Sequence, residues 1–288
     1  MKLTTSFADL APDYDGLIVD LWGVLHDGVT AFPHAVDCLS RLRKDGKAVA
    51  ILSNAPRRAS EVEAKMNELG IAPGLYDLVL SSGEVAWRHL KHRQDPWYAA
   101  LGNRCFHLGP DRDRGMRAGL DYIFVENPGE ADFLLNTGAH MAEDTVETYA
   151  HELEAGRANS LPMVCANPDL VVVRGGKREI CAGRLAQRYE EMGGEVRYHG
   201  KPHPDVYDEC LSALNGVARD RIAAVGDSLR TDIAGAAAAG LDSIWVLGGI
   251  HAQELRLTDG ALPPAETLDA CMDIAGQTPT AALPLFKW

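Results

Sequence analysis

Positive charge is in short supply. The chain has 28 Lys and Arg against 41 Asp and Glu over 288 residues, a formal net charge of −13. That balance argues against non-specific binding to nucleic acid and against docking on anionic membranes. Small anions stay open as ligands, because they need only a local positive site. No apolar run approaches the ~20 residues needed to span a bilayer. The opening Met1-Lys2-Leu3-Thr4-Thr5-Ser6 lacks the apolar core of a signal peptide. Cysteines are few and scattered (Cys38, Cys105, Cys165, Cys181, Cys210, Cys271), with no CxxC pair. They point away from a disulfide framework and toward the buried, reduced thiols of a cytoplasmic protein. Internal repeats and low-complexity tracts are also missing. What remains is 46% hydrophobic and 24% charged residues, ordinary for a soluble globular chain. The length suffices for one large domain or two ordinary ones.

The most informative stretch is Leu17-Ile18-Val19-Asp20-Leu21-Trp22-Gly23. Leu17 to Val19 form a short apolar, partly β-branched run, which predicts a buried strand of a parallel sheet. The run ends in a carboxylate, Asp20. In open α/β sheets ligands sit beyond the carboxyl ends of strands, where such an acid meets substrate on a rigid backbone. Gly23 lets the chain turn tightly and bring its amides close to a ligand. Taken alone, an Asp in this place more often caps a turn than does chemistry.

The rest of the chain supplies company for it. A helix beginning at Pro33 carries Ala35, Val36, Leu39 and Leu42 at helical spacing. A strand is predicted over 47–52, ending in Ser53-Asn54, then a helix over 60–69 and a strand over 78–80. This βαβαβ order favours a parallel sheet. From about Gly83 the pattern changes. Short strands over 105–108, 122–125, 133–136 and 162–166, with helices over 145–155 and 177–192, read as a smaller α/β domain. The first pattern resumes near Val196, giving an expected division of 1–84 and 196–288 for the core and 85–195 for the insertion. Further on come a helix over 204–214, a strand over 221–225 ending in Gly226-Asp227-Ser228, a helix over 231–239 and a strand over 243–247. The tail is expected to be irregular, with one helix over 266–274.

Four strand ends thus carry polar groups: Asp20, Ser53-Asn54, Lys201 in Gly200-Lys201-Pro202, and Asp227 with Asp232. Parallel strands would set them along one sheet edge. Crowded carboxylates repel unless a cation sits among them. Mg²⁺ favours one or two carboxylates plus phosphate and water. A hydroxyl, an ammonium and turn amides can hold a phosphate. The residues themselves therefore suggest metal-assisted phosphoryl transfer.

Asp20-Leu21-Trp22-Gly23-Val24-Leu25, Leu52-Ser53-Asn54, Gly200-Lys201-Pro202 and Gly226-Asp227-Ser228 through Asp232-Ile233 resemble the four ordered motifs of the haloacid dehalogenase (HAD) superfamily. Asp232-Ile233-Ala234-Gly235, Leu108-Gly109-Pro110 and Ala166-Asn167-Pro168-Asp169 are similar to its class IIA branch, the nitrophenylphosphatase and nucleotide or sugar phosphatase group. The resemblance implies an α/β fold: a Rossmann-like core with a parallel sheet, and an inserted cap domain of the C2 type. It implies that Asp20 is the nucleophile and forms an aspartyl-phosphate. By the same resemblance Ser53 and Lys201 bind the phosphate, with Asn54 and Gly23 beside them. Mg²⁺ would be held by Asp20, the Trp22 carbonyl and Asp227, with Asp232 ligating or supporting. The implied partner is a small phosphorylated metabolite. Caps of this branch take part in dimers, so a homodimer is an expectation by analogy alone.

One position departs. The family carries a second aspartate two residues after the nucleophile, which protonates the leaving group and later activates water. Here it is Trp22, whose indole can do neither. General acid–base help is worth about 10²–10⁴ in rate. Without it, esters with poor leaving groups should turn over slowly, and aryl or acyl phosphates should suffer less. Three readings stay open: His26 or Asp27 substitutes; the reaction differs, as in the superfamily's dehalogenases; or the protein binds phosphorylated ligands without efficient turnover. Asn167-Pro168-Asp169 reaches the substrate or is a plain turn. Arg57 and Arg58 greet a phosphate or begin a solvated helix.

Overall fold

The structure, a computed structural model, describes residues 1–257 and 261–288. Leu17 and Val19 pack on one side of their strand and Ile18 on the other, and the neighbouring strand repeats this with Val49 and Ile51 opposed to Ala50 and Leu52. Apolar side chains on both faces are what a sheet covered on both sides requires. Seven strands build it, in the order Lys2–Leu3, Ala281–Leu283, Asp242–Val246, Ile222–Gly226, Gly16–Val19, Ala48–Ser53, Leu78–Ser81. Every neighbouring pair runs parallel. The strand that precedes Asp20 lies between the one that precedes Ser53 and the one that precedes Asp227. The ends of three central strands are thereby juxtaposed. No helix among the described residues is long and apolar enough to cross a membrane.

A second, five-stranded parallel sheet is ordered Val196–Tyr198, Met163–Cys165, Phe133–Asn136, Arg104–Leu108, Ile123–Val125. Its apolar faces hold Leu134, Met163, Leu185 and Tyr189 on one side and Phe133, Leu135 and Val164 on the other. The two sheets, one inserted in the sequence of the other, give the expected α/β architecture. Val196–Tyr198 pairs with Met163–Cys165, so the resumption of the core pattern at Val196 is corrected: that strand belongs to the smaller sheet.

Three further expectations are corrected. The helix predicted over 177–192 is helical only over Ala182–Glu191. Its first part is a strand, Lys177–Ile180, paired antiparallel with Val171–Arg174. Gly175 and Gly176 join the two with φ of 53° and 80°, the positive pair that a tight hairpin turn needs. The helix predicted over 231–239 starts as a widened turn, Leu229–Ile233, before Ala234–Ala238. The tail is not irregular throughout. Ala281–Leu283 is buried between Asp242–Val246 and Lys2–Leu3 in the main sheet, beyond the helix Ala265–Ala275.

A Cβ at Gly176 would meet nothing within 4 Å, so Gly176→Ala tests backbone conformation alone. It should cost the hairpin about 1–2 kcal/mol. The expected readout is faster amide hydrogen exchange over 171–180, with the seven-stranded sheet unchanged.

Candidate active site

Asp20 follows its strand directly and is 7% exposed. Lys201, 3% exposed, arrives from the turn after Val196–Tyr198. Its ammonium donates to Asp20 Oδ1, lies 2.8 Å from Asp232 Oδ1, and donates to the Leu52 carbonyl at 3.0 Å. Asp227 ends the Ile222–Gly226 strand. Its Oδ2 accepts from the Ile250 amide at 2.7 Å, and its carbonyl accepts from the Trp245 indole at 3.0 Å. Asp232 faces inward because of the widened turn, and its Oδ2 accepts from the Ser228 amide at 3.1 Å. Side-chain oxygens of Asp20, Asp227 and Asp232 all lie within 4.8 Å of one another. The groups meet, but not along one sheet edge as expected: Lys201 arrives from the end of a strand of the smaller sheet.

Charge decides what this cluster lacks. With all three carboxyls ionised, one ammonium leaves two negative charges uncompensated in a buried site. Burial is the largest push on Asp20 and on Asp227 and raises both above the usual carboxylate range; neighbouring carboxylates push the same way, while the Lys201 ammonium opposes. A divalent cation would cancel the excess, and hard oxygen donors suit Mg²⁺. Asp20 and Asp227 are the fitting holders. Both oxygens of Asp232 are already engaged, by Lys201 and by the Ser228 amide, so it supports the arrangement.

Glycines create the space. Gly23 has φ of +80°, and a Cβ there would fall 2.1 Å from Asp227 Oδ2; one at Gly249 would fall 2.0 Å from the same atom. Asp227 is slotted between two backbones that have no side chain. The Gly23 amide, expected to face a ligand, instead donates to the His26 carbonyl at 2.9 Å. Its part is to make room. Asn54 also differs from expectation. Its Oδ1 accepts from the Lys201 amide at 2.8 Å, and its Nδ2 donates to the Lys201 carbonyl at 3.2 Å and to Asp169 Oδ1 at 2.9 Å. The side chain is spent on positioning Lys201 and on joining the two sheets. Ser53, 3% exposed, lines the cavity.

These groups open into a cavity of about 210 Å³ whose walls come from both sheets and the hairpin. Trp22 lines it. The indole N–H donates to the Val173 carbonyl at 2.9 Å, and the Arg174 guanidinium lies 4.9 Å over the ring. Gly28 admits the ring's far edge, since a Cβ there would fall 2.4 Å from Cη2. The two proposed substitute acids are held differently. His26 is 3% exposed, packs edge-on to Trp22 at 5.1 Å, and accepts from the Gly28 amide at 2.9 Å through Nδ1. Burial pushes it down to about 4, which leaves a neutral ring at pH 7. Asp27 reaches the cavity wall, but its Oδ1 accepts from the Thr30 and Val29 amides at 2.7 and 2.9 Å.

Of the open alternatives, Asp169 does reach the cavity, as does Arg57, which pairs with Asp113 at 2.8 Å. Arg58 instead pairs with Glu84 at 2.7 Å. The cavity walls that sequence reasoning missed are Val171–Val173 and Ile180 of the hairpin and the Gly249-Ile250 turn. The valine run followed by Gly175-Gly176 was the available signal for the first.

Residues 17–122 match a family described as haloacid dehalogenase-like hydrolase, and residues 198–273 one described as HAD-hydrolase-like. A solved hydrolase of the haloacid dehalogenase-like family from Brucella suis 1330 is 35% identical, with a TM-score of 0.82 over 97% of this chain and 98% of that one. The chain belongs to the haloacid dehalogenase-like hydrolases. It is similar, at 31% identity over 245 residues, to D-glycerol 3-phosphate phosphatase of Mycobacterium tuberculosis, covering 84% of this chain but only 65% of that relative's length. A glycerol phosphate phosphatase from the same organism, solved in complex with magnesium, has a TM-score of 0.63 at 29% identity, over 84% of this chain and 70% of that one.

The charge argument has a direct readout. Added Mg²⁺ should stabilise the folded chain by about 2.7 kcal/mol at a hundredfold excess over its Kd, seen as a saturable rise in melting temperature. Asp227→Asn keeps an acceptor for the Ile250 amide yet should abolish most of that rise. Lowering the pH until Asp20 and Asp227 are protonated should abolish it in the parent chain too.

Proposed function

We propose that the chain is a Mg²⁺-dependent phosphatase-type hydrolase acting on a small phosphorylated metabolite through an aspartyl-phosphate at Asp20. The observation that carries this reading is the meeting of Asp20, Asp227, Asp232 and Lys201 in one buried pocket. The phosphatase and magnesium in the relatives' names support it. Asp20 supplies the attacking oxygen, held by Lys201. Lys201 and Ser53 hold the phosphate. Asp20, Asp227 and the Trp22 carbonyl would hold the cation, which would supply neutralisation of charge on the phosphoryl oxygens. Asp232 fixes Lys201, and Asn54 fixes the turn that carries it.

Two other readings have less support. A dehalogenase would need no metal, and the buried trio of carboxylates would then have only the Lys201 ammonium to offset it. A phospholigand-binding protein with a disabled site draws on Trp22 alone. The two candidates for activity separate on kinetics.

Asp20→Asn should remove turnover of p-nitrophenyl phosphate by at least three orders of magnitude while circular dichroism stays unchanged. Full activity in this variant would defeat the nucleophile assignment. Trp22→Asp should raise the rate on glycerol phosphate by about 10²–10⁴. No gain would mean that another group already serves as the acid.

A further inference from the structure

A buried polar chain runs from the smaller sheet to the cavity and ends on Arg57. Arg117 Nε donates to His107 Nδ1 at 2.9 Å. A guanidinium only donates, so Nδ1 accepts and the proton of the neutral ring sits on Nε2. Burial, with the Arg117 charge beside it, pushes His107 down to about 3, which keeps the ring neutral at pH 7. Its Nε2 therefore donates to the Thr137 hydroxyl at 2.9 Å. That hydroxyl keeps its own hydrogen for the Asp113 carboxylate beside it. Asp113 in turn accepts from Arg57 Nε at 2.8 Å. His107, Thr137 and Asp113 are all buried. Gly109 leaves room for the crossing, since a Cβ there would fall 1.8 Å from Thr137 Oγ1.

The backbone of Arg57 is held from the main-sheet side. Ser81 Oγ donates to its carbonyl at 2.6 Å, and a Cβ at Gly83 would fall 2.2 Å from its amide nitrogen. Residues 53–57 line the cavity without a break, so Arg57 extends the wall that Ser53 begins. A guanidinium that only neutralised Asp113 could meet both carboxylate oxygens in a two-pronged contact. Here Asp113 takes Nε alone, and among the described residues the two terminal nitrogens of Arg57 have no partner. Arg112, next to Asp113 in the chain, brings a second guanidinium to the same cavity.

We infer that Arg57 reads a carboxylate on the leaving group, so that the preferred substrate is a small phosphate ester that also carries a carboxylate. The inference rests on the phosphatase reading above. In that reading Lys201, Ser53 and the cation serve the transferred phosphate, which leaves Arg57 for the rest of the molecule. The free end of a guanidinium matches a carboxylate in shape and charge. One that is already fixed at Nε loses little freedom when it binds. Asp113, Thr137 and His107 touch no substrate in this account. They are positioning residues that hold Arg57 at the cavity.

A pair of ligands isolates the second anion: 3-phosphoglycerate and glycerol 3-phosphate differ only by a carboxylate in place of a hydroxymethyl group. As competitors of p-nitrophenyl phosphate hydrolysis in the presence of Mg²⁺, the carboxylated ester should have a Ki about 10–100-fold lower, the worth of a hydrogen-bonded charge pair. This comparison needs no variant to fold. Arg57→Gln, whose amide can still donate to Asp113, should bring the two Ki values together by weakening the carboxylated ester. Thr137→Val should erode the ratio and Thr137→Ser restore it, whereas a merely structural role would move melting temperature and leave the ratio alone. Equal Ki values in the parent chain, or an undiminished ratio in Arg57→Gln, would overturn the inference. So would an Arg57→Gln protein that binds inorganic phosphate and both esters equally poorly, because Arg57 would then grip the transferred group. The ligand-induced rise in melting temperature reads the same ratio without turnover. Absence of any hydrolysis would therefore defeat the phosphatase reading, while the ratio still decides the role of Arg57.

Discussion

A lysine ammonium buried among carboxylates is the interaction on which the site is built. Lys201 is held by Asp20, by Asp232 and by the Leu52 carbonyl, so it ties together three separated parts of the chain. Its own turn is fixed by the Asn54 amide group from both sides. One positive charge cannot balance three negative ones in a dry pocket, because desolvated like charges repel strongly. A divalent cation among Asp20 and Asp227 would relieve that repulsion.

The parallel sheet makes such a cluster affordable. Strands with apolar side chains on both faces are rigid, and their carboxyl ends share one edge. The central position of Gly16–Val19 sets Asp20 between Ser53 and Asp227 without any long loop. Glycine then sets how closely the pieces approach: Asp227 fits only because Gly23 and Gly249 have no Cβ.

Much of this was legible in the sequence. An apolar run ending in a polar residue announces a strand end, and four such endings announced the site. What stayed hidden depended on choice of partner. Asn54 and Gly23 were placed correctly, but an amide that binds a ligand and one that closes a turn have the same letter. The hairpin was obscured because Lys177-Arg178-Glu179 is charged and runs into an amphipathic helix. Val196–Tyr198 looks like any short strand, and only its pairing with Met163–Cys165 assigns it to the smaller sheet.

Trp22 shows the same limit at the level of chemistry. Its identity announced a lost acid, yet its partner, Val173, lies 151 residues away. In place of a carboxylate that moves protons, the chain has an indole that anchors the hairpin over the cavity. An indole and an aspartate cannot both occupy that spot. The position thus exchanges a side chain that can carry a proton for one that holds the hairpin: the indole N–H meets the Val173 carbonyl, and the Arg174 guanidinium lies over the ring.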